Sequence, residues 1–336
     1  MSRRPKSYAT ICLVLLLGIV FVIQADTSLA AGKRTVAGRF SFGSNKTFTN
    51  VTFRGPVRNR PGAHNVTFRN CRFLGRGSTY DLYLGDGASV YDVRFINCTF
   101  VRAQKNGRAP SMITLKARGD KSGGRGQLHD ITFRGCHFGT RNAEGRIGSP
   151  GMMVEIQNYS RSRANHGFYH INFRRCVFEA GNCATLDYAG TQHGYVGGAI
   201  RDGRSLVRNC LFKGYARLQD RTSLTGCLCL EMVRGVRVVG CTFWRGWAFA
   251  ISSSTRAAAA GQATRNVITG NTFNFRVRTG IAQKRAGFAR TVLLDGRGDR
   301  LTHNTVYLPA RVKAARDLWS RGGRGLTVHG NRIIAR

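Results

Sequence analysis

Acidic residues are scarce in this chain: 16 Asp and Glu stand against 53 Lys and Arg, a formal charge of +37. Such a surface attracts polyanions, and nucleic acid, acidic polysaccharide, lipopolysaccharide and anionic membrane are the classes it would suit. Proline is scarce too, with 6 residues, whereas glycine reaches 42. That pairing fits many tight turns between short strands better than a helical protein. Helical periodicity is poor almost everywhere, which argues against helical and leucine-rich solenoids. The N-terminal apolar run, Ile11 to Ile23, has only 13 residues, too few for a comfortable membrane span.

That run sits in a different pattern. Arg3, Arg4 and Lys6 precede it, and Ser28-Leu29-Ala30 follows with small residues. The arrangement predicts a signal peptide over residues 1–30 and a mature chain of residues 31–336, secreted or periplasmic. Export argues against DNA or RNA as the natural partner. Of ten cysteines, Cys12 would leave with the signal. The remaining nine are an odd number and cannot all pair within one chain.

Most of those cysteines belong to a repeat. NVTFRNCRF (65–73), DVRFINCTF (92–100), DITFRGCHF (130–138), HINFRRCVF (170–178), SLVRNCLF (205–212), GVRVVGCTF (235–243), NVITGNTF (266–273), RLTHNTV (300–306) and GLTVHGNRI (325–333) align, and NVTFRG (50–55) reads as a truncated first copy. Their markers are Cys71, Cys98, Cys136, Cys176, Cys210, Cys241, Asn271, Asn304 and Asn331, spaced 27 to 40 residues apart. Alternation places Val66, Phe68, Cys71 and Phe73 inside and Thr67, Arg69 and Arg72 outside. The lapse in alternation between Phe68 and Cys71 predicts a bend between two short strands. A second strand recurs between markers, at Asp81–Leu84, Met112–Leu115, Met153–Ile156, Thr185–Tyr188 and Cys229–Met232 among others. No copy can bury its own apolar face, but stacked copies share one core.

These coils are similar to those of the pectate-lyase-like right-handed parallel β-helix superfamily, a resemblance that covers about residues 40–336. It implies an all-β solenoid with an interior Cys/Asn/Phe ladder and about nine coils. At about 4.8 Å per coil, the rod would be on the order of 40 Å long. Residues 31–49 are expected as an N-terminal extension or cap and residues 50–336 as the β-helix domain. Equivalent residues on stacked strands lie within Cα reach of a disulfide, but their parallel Cβ vectors keep the sulfurs out of bonding geometry. The six marker cysteines therefore read as a buried thiol stack acting as small hydrophobes. Cys183, Cys227 and Cys229 lie off the ladder, and Cys183 has either of the others as a disulfide partner.

Two outward features carry the functional expectation. Arg54, Arg69, Arg134, Arg174 and Arg208 recur two positions before the marker or its equivalent. Like charges in register repel, and a bound polyanion would relieve them. In a chain short of acids, Glu155, Asp187 and Glu231 occupy the middle of three successive second strands. Clustered carboxylates hold a hard cation such as Ca²⁺ or act as an acid/base pair on a glycoside. Lys116 and Arg118 lie one coil earlier, and His193 and Tyr159 fall in long loops beside them. Tyr159 and Tyr188 are the candidate aromatic contacts. His64, His129, His170, His303 and His329 read as surface residues at strand edges.

In outline the chain resembles polysaccharide lyases, which need the uronate carboxylate neutralised, a base for the C5 proton and an acid for the leaving oxygen. The resemblance implies Glu155, Asp187 and Glu231 as Ca²⁺ ligands, with Lys116, Arg118 or His193 as base. The Gly-His-Gly of polygalacturonases, the Arg-x-Pro-x-x-Arg of pectate lyases and the Asp-Pro-His of mannuronan epimerases are all missing. The expected function is binding of an acidic polysaccharide, with β-elimination or epimerisation as its chemistry. The alternative is a non-catalytic envelope or matrix protein holding such polymers. Nucleic acid is disfavoured because no aromatic row interleaves with the outward arginines.

Overall fold

A computed structural model describes residues 34–76, 80–85, 88–104, 112–117, 126–142, 154–158, 167–179, 186–189, 204–213, 226–231, 233–244, 249–252, 265–274, 292–293, 297–308 and 325–335. The predicted signal peptide lies outside these residues, as does Cys183. Every element among them is a strand or an isolated bridge, and every strand pair is parallel. No helix among them is long and apolar enough to cross a membrane.

The strands form three sheets of ten, eleven and nine members. Sheet 1 carries the strand before each marker, from Lys46–Thr49 to Thr327–His329. Sheet 2 carries the strand after it, from Arg34–Ala37 to Arg332–Ala335, and sheet 3 the strand between markers, from Phe40–Phe42 to Val292–Leu293. The chain visits sheets 2, 3 and 1 in turn and pairs each strand with its counterpart one coil on. This is a right-handed parallel β-helix, the hand that parallel crossovers take.

Residues 34–49, expected as an extension or cap, form the terminal coil itself: their three strands pair with Val51–Arg54, Val57–Asn59 and His64–Arg69. With this coil, the described residues give ten strands to sheet 1, eleven to sheet 2 and nine to sheet 3. The segment 50–55 is also reassigned. Val51 takes the marker position, so Arg54 lies on sheet 2 opposite Ala37 and not in the arginine row. A Val-x-Phe-x-x alternation reads alike on either side of a marker, which is why the sequence could not separate them.

The predicted bend between sheets 1 and 2 is one residue long. Asn50, Asn70, Asn97, Gly135, Arg175, Asn209, Gly240, Gly270, His303 and Gly330 each sit just before a marker with φ between 53° and 66°. Asn and Gly tolerate this left-handed region best. The corner keeps its hydrogen bonds: the N–H of Asn70 donates to Ile96 O at 2.9 Å on the next coil, and that of Thr99 donates to Cys71 O at 2.9 Å. Stacking thus replaces the partners that a sharp turn would otherwise lose.

The interior is a set of ladders. Phe48, Phe68, Phe95, Phe133 and Phe173 stack from sheet 1 with centroids 4.6–5.0 Å apart. Phe53, Phe73, Phe100, Phe138, Phe178, Phe212, Phe243 and Phe273 do the same from sheet 2, at 4.5–5.1 Å. The two ladders meet edge to face, as Phe95 and Phe100 do at 63°, the offset that ring quadrupoles favour.

The marker cysteines are free and buried, as expected. Each donates to a carbonyl one coil back, as Cys98 does to Phe68 O at 3.4 Å and Cys136 to Phe95 O at 3.4 Å. Burial pushes the Cys136, Cys176 and Cys241 thiols up. In the last three coils Asn takes over the same bond: Asn271 Nδ2 donates to Val238 O and Asn304 Nδ2 to Ile268 O, each at 3.0 Å. Asn also accepts the preceding marker's N–H, as Asn304 Oδ1 does from Asn271 at 2.9 Å.

Candidate functional site

The arginine row lies at the end of the sheet 1 strands. The register runs Arg69, Ile96, Arg134, Arg174, Arg208 and Val239. Arg69, Arg134, Arg174 and Arg208 are exposed, and the last three occupy successive strands about 4.8 Å apart. Ile96 separates Arg69 from this trio.

On sheet 3 the acidic row is shorter than expected. Glu155 pairs with Asp187, but Asp187 pairs with Cys229, and Glu231 stands opposite Ala189 two residues further along. A shift of two residues keeps the same face of a strand, so equal appearance in sequence does not give equal register. Glu231 therefore shares a row with Gln157 and Lys116. Glu155 and Lys116 are half-buried. For Asp187, Tyr188 and Glu231 only the strand position is described. Tyr188 pairs in register with Ile156 and Leu230. Arg118, Tyr159 and His193 lie outside the described residues. Among the described residues no group of three His, Cys, Asp or Glu is arranged to hold a metal ion.

Two outward rows appear that the sequence analysis passed over. On sheet 1, the rings of His64, Tyr91, His129 and Tyr169 stack with centroids 4.6–5.0 Å apart and planes within 6°. All four stand seven residues before a marker. Asp130 accepts from His129 Nδ1 at 2.7 Å and from His170 Nδ1 at 2.9 Å, tying two coils together. An aromatic row thus shares sheet 1 with the arginines. Its rings face one another with no space for an inserted base and present their edges outward. Base stacking needs an open ring face.

The other row lies three residues after the marker on sheet 2: Gly139, Glu179, Lys213 and Trp244 pair in that order. Glu179 Oε2 accepts from His137 Nε2 at 3.0 Å, and its Oε1 accepts from Lys213 Nζ. Lys213 Nζ also lies 5.3 Å from the Trp244 ring centroid. Partial burial works against the Glu179 charge, but the Lys213 and His137 hydrogen bonds outweigh it and hold the carboxyl below its ordinary value. Gly139 makes the approach of His137 feasible, because a Cβ there would stand 3.0 Å from the imidazole Cε1. In the aligned repeats this row is a column whose chemistry changes from coil to coil, so the repeat pattern does not single it out.

No protein-family model matches the sequence, and no curated protein does. Among solved structures the chain is similar to QnrB1, a plasmid-mediated fluoroquinolone resistance protein, at 14% identity and a TM-score of 0.27, covering 89% of this chain and 92% of that one. It is also similar to ORF18 of Geobacillus virus E2 at 13% identity and a TM-score of 0.30, where it spans 65% of the other chain. The architecture given above rests on the chain's own strand pairing.

Proposed function

We propose that the protein is an exported rod that binds an acidic polysaccharide along its outer surface. The observation that supports this best is the run Arg134, Arg174 and Arg208, exposed and on successive strands of one sheet. Three guanidiniums held about 4.8 Å apart repel one another. A polymer bearing a carboxylate on each sugar supplies one counter-charge per coil, and guanidinium and carboxylate match as planar, two-point partners. Nucleic acid fits less well, since the aromatic row on the same sheet offers no ring faces to bases. Export, predicted from residues 1–30, points the same way.

The proposed chemistry is β-elimination or epimerisation. It draws support from Glu155 and Asp187 in register on sheet 3, with Lys116 one strand from Glu155 and two residues along. Carboxylates so placed suit Ca²⁺, which would neutralise a uronate, and Lys116 suits the base. The competing reading is a non-catalytic envelope or matrix protein that uses the arginine row alone.

One experiment separates them. Residues 31–336 are mixed with a panel of uronate polymers, with and without Ca²⁺, while binding and ultraviolet absorbance from unsaturated chain ends are followed. Salt-sensitive binding that weakens at least tenfold in the Arg134→Ala/Arg174→Ala/Arg208→Ala variant supports polymer binding; unchanged binding refutes it. Absorbance that rises only with Ca²⁺ supports the lyase reading and the carboxylate pair. Binding without product, extended to a negative assay for C5 epimerisation, favours the non-catalytic one.

A further inference from the structure

The trio on sheet 2 has the geometry of a proton-transfer site, and nothing in the arginine row or the sheet 3 carboxylates makes use of it. We propose that His137, oriented by Glu179, is the group that moves the proton in β-elimination on the bound polymer. The inference rests on the polysaccharide reading and replaces Lys116, Arg118 and His193 as the base.

Three observations support it. First, both Glu179 oxygens are engaged, one by His137 Nε2 and one by Lys213. An ionised Glu179 requires the proton on Nε2, which leaves Nδ1 as the basic nitrogen; a carboxylate that fixes the tautomer in this way is the usual partner of a histidine base. Second, the trio is neither sealed nor fully exposed. The side chains of His137, Glu179 and Lys213 keep 39%, 31% and 23% of their accessible surface, enough for a polymer to reach them and little enough to hold one geometry. Third, Gly139 leaves room beside the imidazole, since a Cβ there would stand 3.0 Å from Cε1.

The surroundings suit an anionic sugar. Arg134 ends its sheet 1 strand and His137 begins the next on sheet 2, with only the corner residue Gly135 and the marker Cys136 between them. A polymer along the arginine row therefore passes the imidazole. Lys213 has two further N–H donors for a uronate carboxylate, and Trp244 adds an aromatic surface beside it.

The step balances with one histidine. His137 Nδ1 takes the proton from C5, the C5–H pair becomes the C4–C5 double bond, and the C4–O bond breaks. The imidazolium then returns that proton to the departing oxygen. The products are an unsaturated chain end and a hydroxyl, with no oxidant or water consumed.

Among the described residues, the charged groups beside His137 are Glu179 and Lys213 from the following two strands. On the other side its row continues to Thr99 and then Arg72.

The test uses the wild-type chain and the His137→Gln and Glu179→Gln variants, with binding and unsaturated ends measured on the uronate panel. The expected result is product with the wild type, a loss of about 100-fold or more in His137→Gln with binding retained, and a lower turnover at unchanged KM in Glu179→Gln. Activity kept in His137→Gln, or turnover unchanged in Glu179→Gln, overturns the inference. So does binding without product from any polymer, which leaves the binding proposal standing; loss of binding throughout would remove that proposal instead.

Discussion

At the scale of single residues, the marker position shows how one hydrogen bond can be met by two chemistries. Cys136 is a small, fully buried hydrophobe whose thiol makes a weak bond to Phe95 O. Asn304 makes a stronger set: its Nδ2 reaches Ile268 O and its Oδ1 accepts from both the N–H and the Nδ2 of Asn271. Truncating each to alanine should therefore differ in effect. Cys136→Ala should cost about 1 kcal/mol, the worth of an ordinary buried hydrogen bond. Asn304→Ala should cost about 3 kcal/mol or more, because buried N–H and C=O groups lose their partners. Midpoints of guanidinium unfolding read the difference; equal costs would show that the ladder is held by shape alone. The corner gives a second prediction. Arg175 sits at φ 53° where neighbouring coils use Asn or Gly, a conformation that costs an L side chain about 1 kcal/mol. Arg175→Gly should raise the melting temperature, and Arg175→Val should lower it. A rise in neither would mean that the guanidinium makes up for the strain.

At the scale of elements, strands are held in register as much by their outer rows as by the core. The ring stack of His64, Tyr91, His129 and Tyr169 spans four strands, and Asp130 joins two of them through His129 and His170. Partial burial opposes the Asp130 charge, but the two imidazole hydrogen bonds prevail and hold its carboxyl below the ordinary value. A depressed carboxyl stabilises the folded state above its unfolded-state value, and that contribution is lost as pH falls through the lower, folded value. Asp130→Asn should therefore melt earlier than the wild type near neutrality and converge with it in acid, below the ordinary carboxyl range. Melting curves at a series of pH values test this, and parallel curves would contradict it. On sheet 3, Glu231 lies two residues from the place its neighbours suggest, because Asp187 pairs with Cys229 and a period-2 pattern reads the same after a two-residue shift.

At the scale of the whole molecule, a rod with a formal charge of +37 must manage its own repulsion. Binding of a polyanion should be screened by salt, because exposed charges lose most of their interaction beyond about 10 Å at ordinary ionic strength. Melting temperature should rise when a uronate polymer is added at low salt, by simple linkage of binding to folding, and that rise should shrink as salt is added. A shift insensitive to salt would mean that the contact is not the arginine row. Val328 and Ile333 are 41% and 46% exposed, where their partners Leu301 and Val306 on the preceding coil are fully buried.

The fold was legible in the amino-acid pattern alone. A period of apolar and marker residues that no single copy can bury leaves stacking as the physical solution, and the inward Phe, Cys and Asn positions followed from alternation alone. That pattern also placed Arg134, Arg174 and Arg208 in one row, since those residues lie a fixed distance from the marker with no loop between. Tertiary structure was needed for the register of Glu231, because a shift of two residues leaves the same face of the strand outward. The structure also decided which side chains meet on different coils. His137 and Glu179 are 42 residues apart in the chain, yet neighbouring strands bring them within 3.0 Å. A repeat fixes its own positions by pattern, but the contacts between unlike residues depend on rotamers, burial and hydrogen-bond geometry, which exist only once the coils are stacked.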